Sequence, residues 1–211
     1  MNVFVLCTGR CGSVTFAKAC GHMTNFTSAH ESRTFLLGSD RLAYPDQHIE
    51  VDNRLSWFLG RLDRTYGDRA FYVHLKRDNA SVARSYRERY GIWIMKAYRE
   101  GILLNLPANA DPMAVCLDYC DTVNSNIELF LRDKTHTMTI DLAEIETAFP
   151  QFWHWIGAEG DLEAALACFQ KKHNASHLIP ATKIDDLLRL LRQLPLPLKK
   201  HSIPNPRGVV K

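Results

Sequence analysis

Met1-Asn2-Val3-Phe4-Val5-Leu6-Cys7-Thr8-Gly9-Arg10-Cys11-Gly12-Ser13-Val14-Thr15 is the stretch on which the fold turns. Its first part, Asn2 to Cys7, is a nearly unbroken apolar run, the pattern of a strand buried on both faces of a parallel sheet. A helix is expected from about Ser13 to Cys20. Between the two lies Thr8-Gly9-Arg10-Cys11-Gly12-Ser13. Glycines let a backbone turn sharply and approach a ligand, successive N–H groups point into such a turn, and a helix N-terminus adds partial positive charge. A strand, this loop and a helix in that order make a cradle for an oxyanion.

Outward from this segment, apolar runs and turn signals alternate as strand, helix, strand, helix. Asn25 to Ser28 reads as a short second strand. Asp52 to Tyr66 repeats Leu55, Phe58, Leu59 and Leu62 at helical spacing, with Gly67 closing the helix. Ala70 to Leu75 is a second strong buried strand and Thr135 to Ile140 a weaker third. Between them Cys116, Tyr119, Cys120, Val123, Ile127 and Phe130 mark one face of a long helix. Asp161 caps a helix expected through Lys172. Thr182 with Asp185 resembles a capping box for a helix over Ile184 to Leu194, which Pro195 and Pro197 stop. The pattern predicts one α/β domain over residues 1–211, a P-loop-type three-layer fold whose central, mainly parallel sheet is flanked by helices, with 195–211 as an extended tail.

The 211 residues suffice for one such domain with a real core. Lys+Arg 26 against Asp+Glu 23 leaves a formal charge of +3, too little for a nucleic-acid surface, so any basic function is local. No segment approaches the roughly 18 uninterrupted apolar residues of a membrane span. The N-terminus lacks the basic region of a secretory signal, which points to a water-soluble, cytoplasmic protein. In that setting Cys7, Cys11, Cys20, Cys116, Cys120 and Cys168 are expected as thiols, and no pair of Cys-x3-Cys spacings makes a zinc site.

Two familiar loops fail on the 8–13 segment. A Walker A loop with Gly12 as its second glycine would need glycine at Cys7 and lysine at Ser13. A Cys-x5-Arg phosphatase loop starting at Cys7 would need arginine at Ser13. The run does resemble the 5′-phosphosulfate-binding loop of sulfotransferases that use 3′-phosphoadenosine-5′-phosphosulfate, in which a Lys or Arg precedes Ser-Gly-Thr-Thr or a variant. After the strand Ala70 to Leu75, Arg77-Asp78-Asn79-Ala80-Ser81-Val82-Ala83-Arg84-Ser85 resembles the 3′-phosphate motif of the same superfamily: an arginine at a strand end and a serine eight residues on. Arg77 offers a planar fork suited to phosphate, and Ser85 and Arg89 follow on the next helix at spacings that let all three face one ligand.

The resemblance implies that Gly9, Arg10, Cys11, Gly12, Ser13, Val14 and Thr15 hold the phosphosulfate while Arg77, Ser85 and Arg89 hold the 3′-phosphate. Asn174, in Lys171-Lys172-His173-Asn174-Ala175-Ser176, matches a late nucleotide-covering segment. The arginine in the loop is the choice of the tyrosyl-protein group, whose general base is a glutamate about twenty residues downstream; Glu31 has that place. Its neighbour His30 is the rival, because small-molecule sulfotransferases use histidine. Glu50 is a more distant candidate, and Asp52 reads as a helix N-cap. Tyr86, Tyr90, Trp93 and Tyr98 read as core aromatics before acceptor-cleft ones. Cys11 stands where the family commonly has Ser, and Val14 where a second Thr is frequent.

The implied reaction moves a sulfuryl group to a hydroxyl or amine of a small-molecule, carbohydrate or peptide acceptor, without metal, nucleic-acid or membrane partners. The competing readings are a P-loop kinase-like phosphotransferase and a non-catalytic nucleotide-binding module.

Overall fold

In the computed structural model, which describes residues 1–170, β1 (Val3–Leu6) is the middle strand of a five-stranded sheet. Around it stand β2 (Thr27–His30), β3 (His48–Val51), β4 (Phe71–Lys76) and β5 (Thr137–Asp141), in the order β2-β3-β1-β4-β5. Every pairing is parallel, with Val3 opposite Ile49 of β3 on one side and Phe71 of β4 on the other. The chain runs from β1 outward to β2, returns through β3, then crosses to β4 and β5. The order therefore reverses at β1, and α/β sheets bind ligands in the crevice such a reversal opens at the carboxyl ends of the strands.

Alternation along β1 builds two cores. Val3 and Val5 join Phe16, Phe149 and Phe152 on one face. Phe4 and Leu6 join Leu55, Leu62, Tyr72, Val123 and Ile127 on the other. The first face is covered by α1 (Ser13–Cys20), α6 (Ile145–Trp155) and α7 (Leu162–Gln170). The second is covered by α2 (Leu59–Tyr66), α3 (Asn79–Arg87), α4 (Trp93–Ala97) and α5 (Pro112–Leu131). The result is the three-layer α/β arrangement that the sequence predicts. Asp78, Asp111 and Asp161 fix helix starts by accepting from Ser81 N, Met113 N and Ala164 N at 2.8, 3.0 and 2.9 Å. The six cysteines are thiols, five of them buried. Burial pushes the Cys116 thiol up to about 11 and that of Cys120 to about 12, which leaves both inert at neutral pH. Among the described residues no helix is long and apolar enough to cross a membrane.

Three expectations need correction. β3 is a strand the sequence did not announce, because its His48 and Glu50 are polar yet buried. The helix expected from Asp52 to Tyr66 is split. Asp52 caps a 3-10 turn over Asn53–Trp57, accepting from Arg54 N, and α2 starts only at Leu59. Strand β2 lies two residues later than expected, at Thr27–His30. Of the four aromatics read as core, Tyr86 and Tyr98 are buried while Trp93 is largely exposed. The helix expected over 184–194, the tail and Asn174 lie outside the described residues.

Candidate functional site

The loop after β1 is held in a shape that only glycine allows at two places. Gly9 and Gly12 have φ of +80° and +86°, and a Cβ would come within 2.4 Å of Tyr86 Oη at Gly9 and 2.8 Å of Leu142 Cδ1 at Gly12. Arg10 between them is also left-handed, at +58°. Behind the loop the carbonyl of Thr8 accepts from Tyr86 Oη at 2.6 Å, Tyr119 Oη at 2.9 Å and, more weakly, Asn53 Nδ2 at 3.4 Å. That carbonyl is turned into the core, which orients the Thr8–Gly9 peptide and directs its N–H the opposite way. Gly12 O accepts the first bond of α1 from Phe16 N at 2.9 Å. The amides ahead of Phe16 then have no partner within the helix, as at any helix start.

Cys11 is fully buried in the core under the loop. The neighbouring Cys7 thiol draws the Cys11 pKa down against burial, with help from the N–H groups of Cys11, Gly9 and Ser13. The presence of Cys11, together with burial, pushes the Cys7 thiol well up. The cysteine thus supports the loop from beneath.

Arginines converge above it. Arg77, one residue beyond β4, donates from Nη1 to the carbonyl of Arg10 at 3.1 Å. Arg10 donates from Nε to Ser85 Oγ of α3 at 2.9 Å. Arg89 donates from Nη1 to Ser85 O at 3.3 Å and reaches Glu88 Oε2 at 3.6 Å. Partial burial lowers the Arg10 pKa, and the charges of Arg89 and Arg77 lower it further. Cations gathered in a partly desolvated place favour an anion among them.

The tip of β2 also reaches the loop. His30 Nε2 lies 3.1 Å from Ser13 Oγ, on the loop itself. Glu31 turns aside with φ +52° and pairs through Oε2 with Arg54 Nη1 at 2.6 Å. Glu50 is fully buried; burial alone would raise its pKa, but the bonds from His48 and Ser32 outweigh it and hold the carboxyl below its usual range. Asp52 shifts the other way: burial raises it, opposed by the Arg54 N–H and by Arg41, whose Nη2 is 2.5 Å from Asp52 Oδ2.

Gly9, Arg10, Gly12, Ser13, Arg77, Ser85, Arg89 and His30 thus come to one end of the sheet, with Cys11 beneath them. Val14 and Thr15 continue into the first turn of α1, where Thr15 is buried and Val14 partly so. Glu31 stands on the same corner but faces Arg54. Sequence reasoning missed Tyr119, Asn53, Ser32 and Arg54. Tyr119 was read only as part of an apolar helix stripe, and nothing in the pattern distinguishes a tyrosine whose hydroxyl reaches a loop carbonyl from one that merely packs.

No family model matches the sequence, and no curated protein is significantly similar to it. Among solved structures, a sulfotransferase domain from the curacin biosynthetic pathway superposes with a TM-score of 0.57 at 14% identity, over 84% of this chain and 80% of that one. At that identity the likeness concerns the backbone alone. The chain has a sulfotransferase-like α/β fold.

Proposed function

We propose that this protein transfers a sulfuryl group from 3′-phosphoadenosine-5′-phosphosulfate to a hydroxyl or amine of an acceptor. The observation that carries the reading is that Arg77 and Ser85 both hydrogen-bond to Arg10, which brings the two segments that resemble phosphate motifs into contact. A nucleotide phosphorylated at both the 3′ and 5′ positions matches two adjoining anion pockets.

In this reaction the bond between sulfur and the bridging phosphate oxygen breaks and a bond forms from sulfur to the acceptor atom, which gives up its proton. The products are a sulfate ester, or a sulfamate from an amine, and adenosine 3′,5′-bisphosphate. Negative charge develops on the bridging oxygen as it leaves, by analogy with phosphoryl transfer, and Arg10 with the loop N–H groups is suited to stabilise it. Of the two candidate bases, His30 is the better supported. It hydrogen-bonds to the loop serine, whereas the Glu31 carboxylate is occupied by Arg54. A neutral imidazole is also a competent base near pH 7.

A magnesium-dependent kinase is less well supported. Such enzymes place an acid at the tip of a strand beside the loop to hold the metal. Asp52 has that place, but its Oδ2 is bound to Arg41 and its Oδ1 caps the following turn.

The test is transfer of radiolabelled sulfate from the donor to a panel of phenols, alcohols, amines and tyrosine peptides. Wild-type protein is expected to label at least one acceptor, Arg10→Ala to lose transfer by about 100-fold or more, and His30→Ala by a comparable factor. Tight binding of the donor with no label moved to any acceptor would instead favour a binding module.

A further inference from the structure

A charged side chain in the middle of a central strand has no packing reason to be there. Glu50 lies in β3 opposite Phe4 of β1 and Ala29 of β2 and is wholly shielded from water. A carboxylate in such a place is unfavourable unless hydrogen bonds replace its hydration. It has three. Ser32 N donates to Oε1 at 2.7 Å, Ser32 Oγ donates to Oε2 at 2.6 Å, and His48 Nε2 lies 3.1 Å from Oε2. His48 is itself fixed, with Nδ1 2.8 Å from Thr27 Oγ1 and its ring stacked on Tyr44.

The two shortest of these bonds come from one residue, Ser32, directly after His30 and Glu31. Glu31 is left-handed at φ +52°, a conformation that residues other than glycine adopt reluctantly, and its N–H donates to Val51 O at 3.1 Å. The corner at the tip of β2 is therefore fastened to β3 at two successive residues, Val51 through the backbone and Glu50 through a side chain. From that corner His30 meets Ser13 and Glu31 meets Arg54. An apolar residue at 50 would fill the same space without desolvating a charge. What it would not supply is a pair of short, charge-assisted bonds with a single geometry.

We infer that Glu50 is a positioning residue: by gripping the amide and hydroxyl of Ser32 it sets the direction of His30 toward the reacting group and of Glu31 toward Arg54. The inference rests on the proposed transfer reaction, and its test separates the two. Glu50→Gln keeps the volume and removes the charge. Ser32→Ala keeps the amide and removes the hydroxyl, and Ser32→Thr restores the hydroxyl. Each variant is compared at equal folded fraction by three measurements: kcat and KM for sulfuryl transfer, titration with adenosine 3′,5′-bisphosphate, and hydrogen exchange at the amides of residues 31–33.

Glu50→Gln is expected to lower kcat by roughly tenfold and Ser32→Ala by about threefold. The nucleotide Kd should change by less than about twofold and exchange at 31–33 should rise, because the phosphate pockets are untouched while the corner is loosened. Ser32→Thr should restore the wild-type values, and Glu50→Gln with Ser32→Ala should be no worse than Glu50→Gln alone. Unchanged exchange in both variants, or unchanged kcat in an active enzyme, would overturn the inference. A wild-type protein that moves no sulfuryl group would count against the transfer reaction alone, since the exchange measurement still decides whether Glu50 holds the corner.

Discussion

Arg10 Nε donates to Ser85 Oγ at 2.9 Å across 75 residues of chain, tying the loop after β1 to α3. Under the proposed function this one residue would serve both ends of the nucleotide, its backbone the 5′ side, where Arg77 meets its carbonyl, and its guanidinium the 3′ side, where it meets the serine. Removing Ser85 or Arg77 should damage recognition of the 3′-phosphate first. A hydroxyl donating to a phosphate oxygen stands at the lower end of the charge-assisted range of about 1.5–3 kcal/mol, roughly tenfold in affinity, and a guanidinium, with both partners ionised, at the upper end, roughly 150-fold. Calorimetric titration with adenosine 3′,5′-bisphosphate should show the smaller loss for Ser85→Ala and the larger for Arg77→Ala, with adenosine 5′-monophosphate changed little by either.

Gly9→Ala tests the shape of the loop. The new methyl meets Tyr86 Oη and the backbone is at φ +80°, so contact and strain add. A destabilisation of about 2–3 kcal/mol is expected in denaturant unfolding, together with loss of nucleotide binding. Tyr86→Phe removes the clashing oxygen but not the strain. The double variant should then lose clearly less than the sum of the single changes.

The buried pair Arg41–Asp52 holds the segment that follows β3. Neither side chain is appreciably exposed, at 2% and 0%. Stranding one charge by Arg41→Met or Asp52→Asn should cost about 3–5 kcal/mol of stability, while replacing both with apolar residues should cost much less. Equal losses for the single and double replacements, measured by unfolding, would contradict this.

His74 gives a pH dependence with a definite sign. It is buried in β4, Nε2 lies 3.1 Å from Asn124 Oδ1, and burial lowers its pKa from about 6.5. The folded state therefore binds a proton less readily than the unfolded chain. Stability contributed by neutral His74 is complete above pH 6.5 and is lost progressively as the pH falls below it. Chemical unfolding between pH 7 and pH 5 should show this decline in the wild type and a shallower one in His74→Gln.

The parts of the fold visible in the sequence are those where packing alone sets the residue. β1, β4 and the stripe of α5 are apolar because they face cores, and the loop between β1 and α1 is legible because φ above zero selects glycine at 9 and 12. β3 was hidden because His48 and Glu50 are buried by satisfying each other, Thr27 and Ser32, and a polar pair of that kind has no periodic signature. Helix spacing ran through Leu55, Phe58 and Leu62, but the Asp52 cap closes a 3-10 turn first and shifts α2. Around the loop, the need for glycine at 9 and 12 is legible in the sequence. The direction of Glu31, toward Arg54, is not, because it follows from a left-handed residue fastened by contacts distant in sequence.

Titration of wild-type protein with adenosine 3′,5′-bisphosphate, adenosine 5′-monophosphate and magnesium ATP in parallel tests the central claim most directly. The proposed function predicts that the bisphosphate binds about tenfold or more tighter than the monophosphate, with the excess affinity lost in Arg77→Ala. Equal affinity for bisphosphate and monophosphate, or tightest binding of magnesium ATP, would contradict the account.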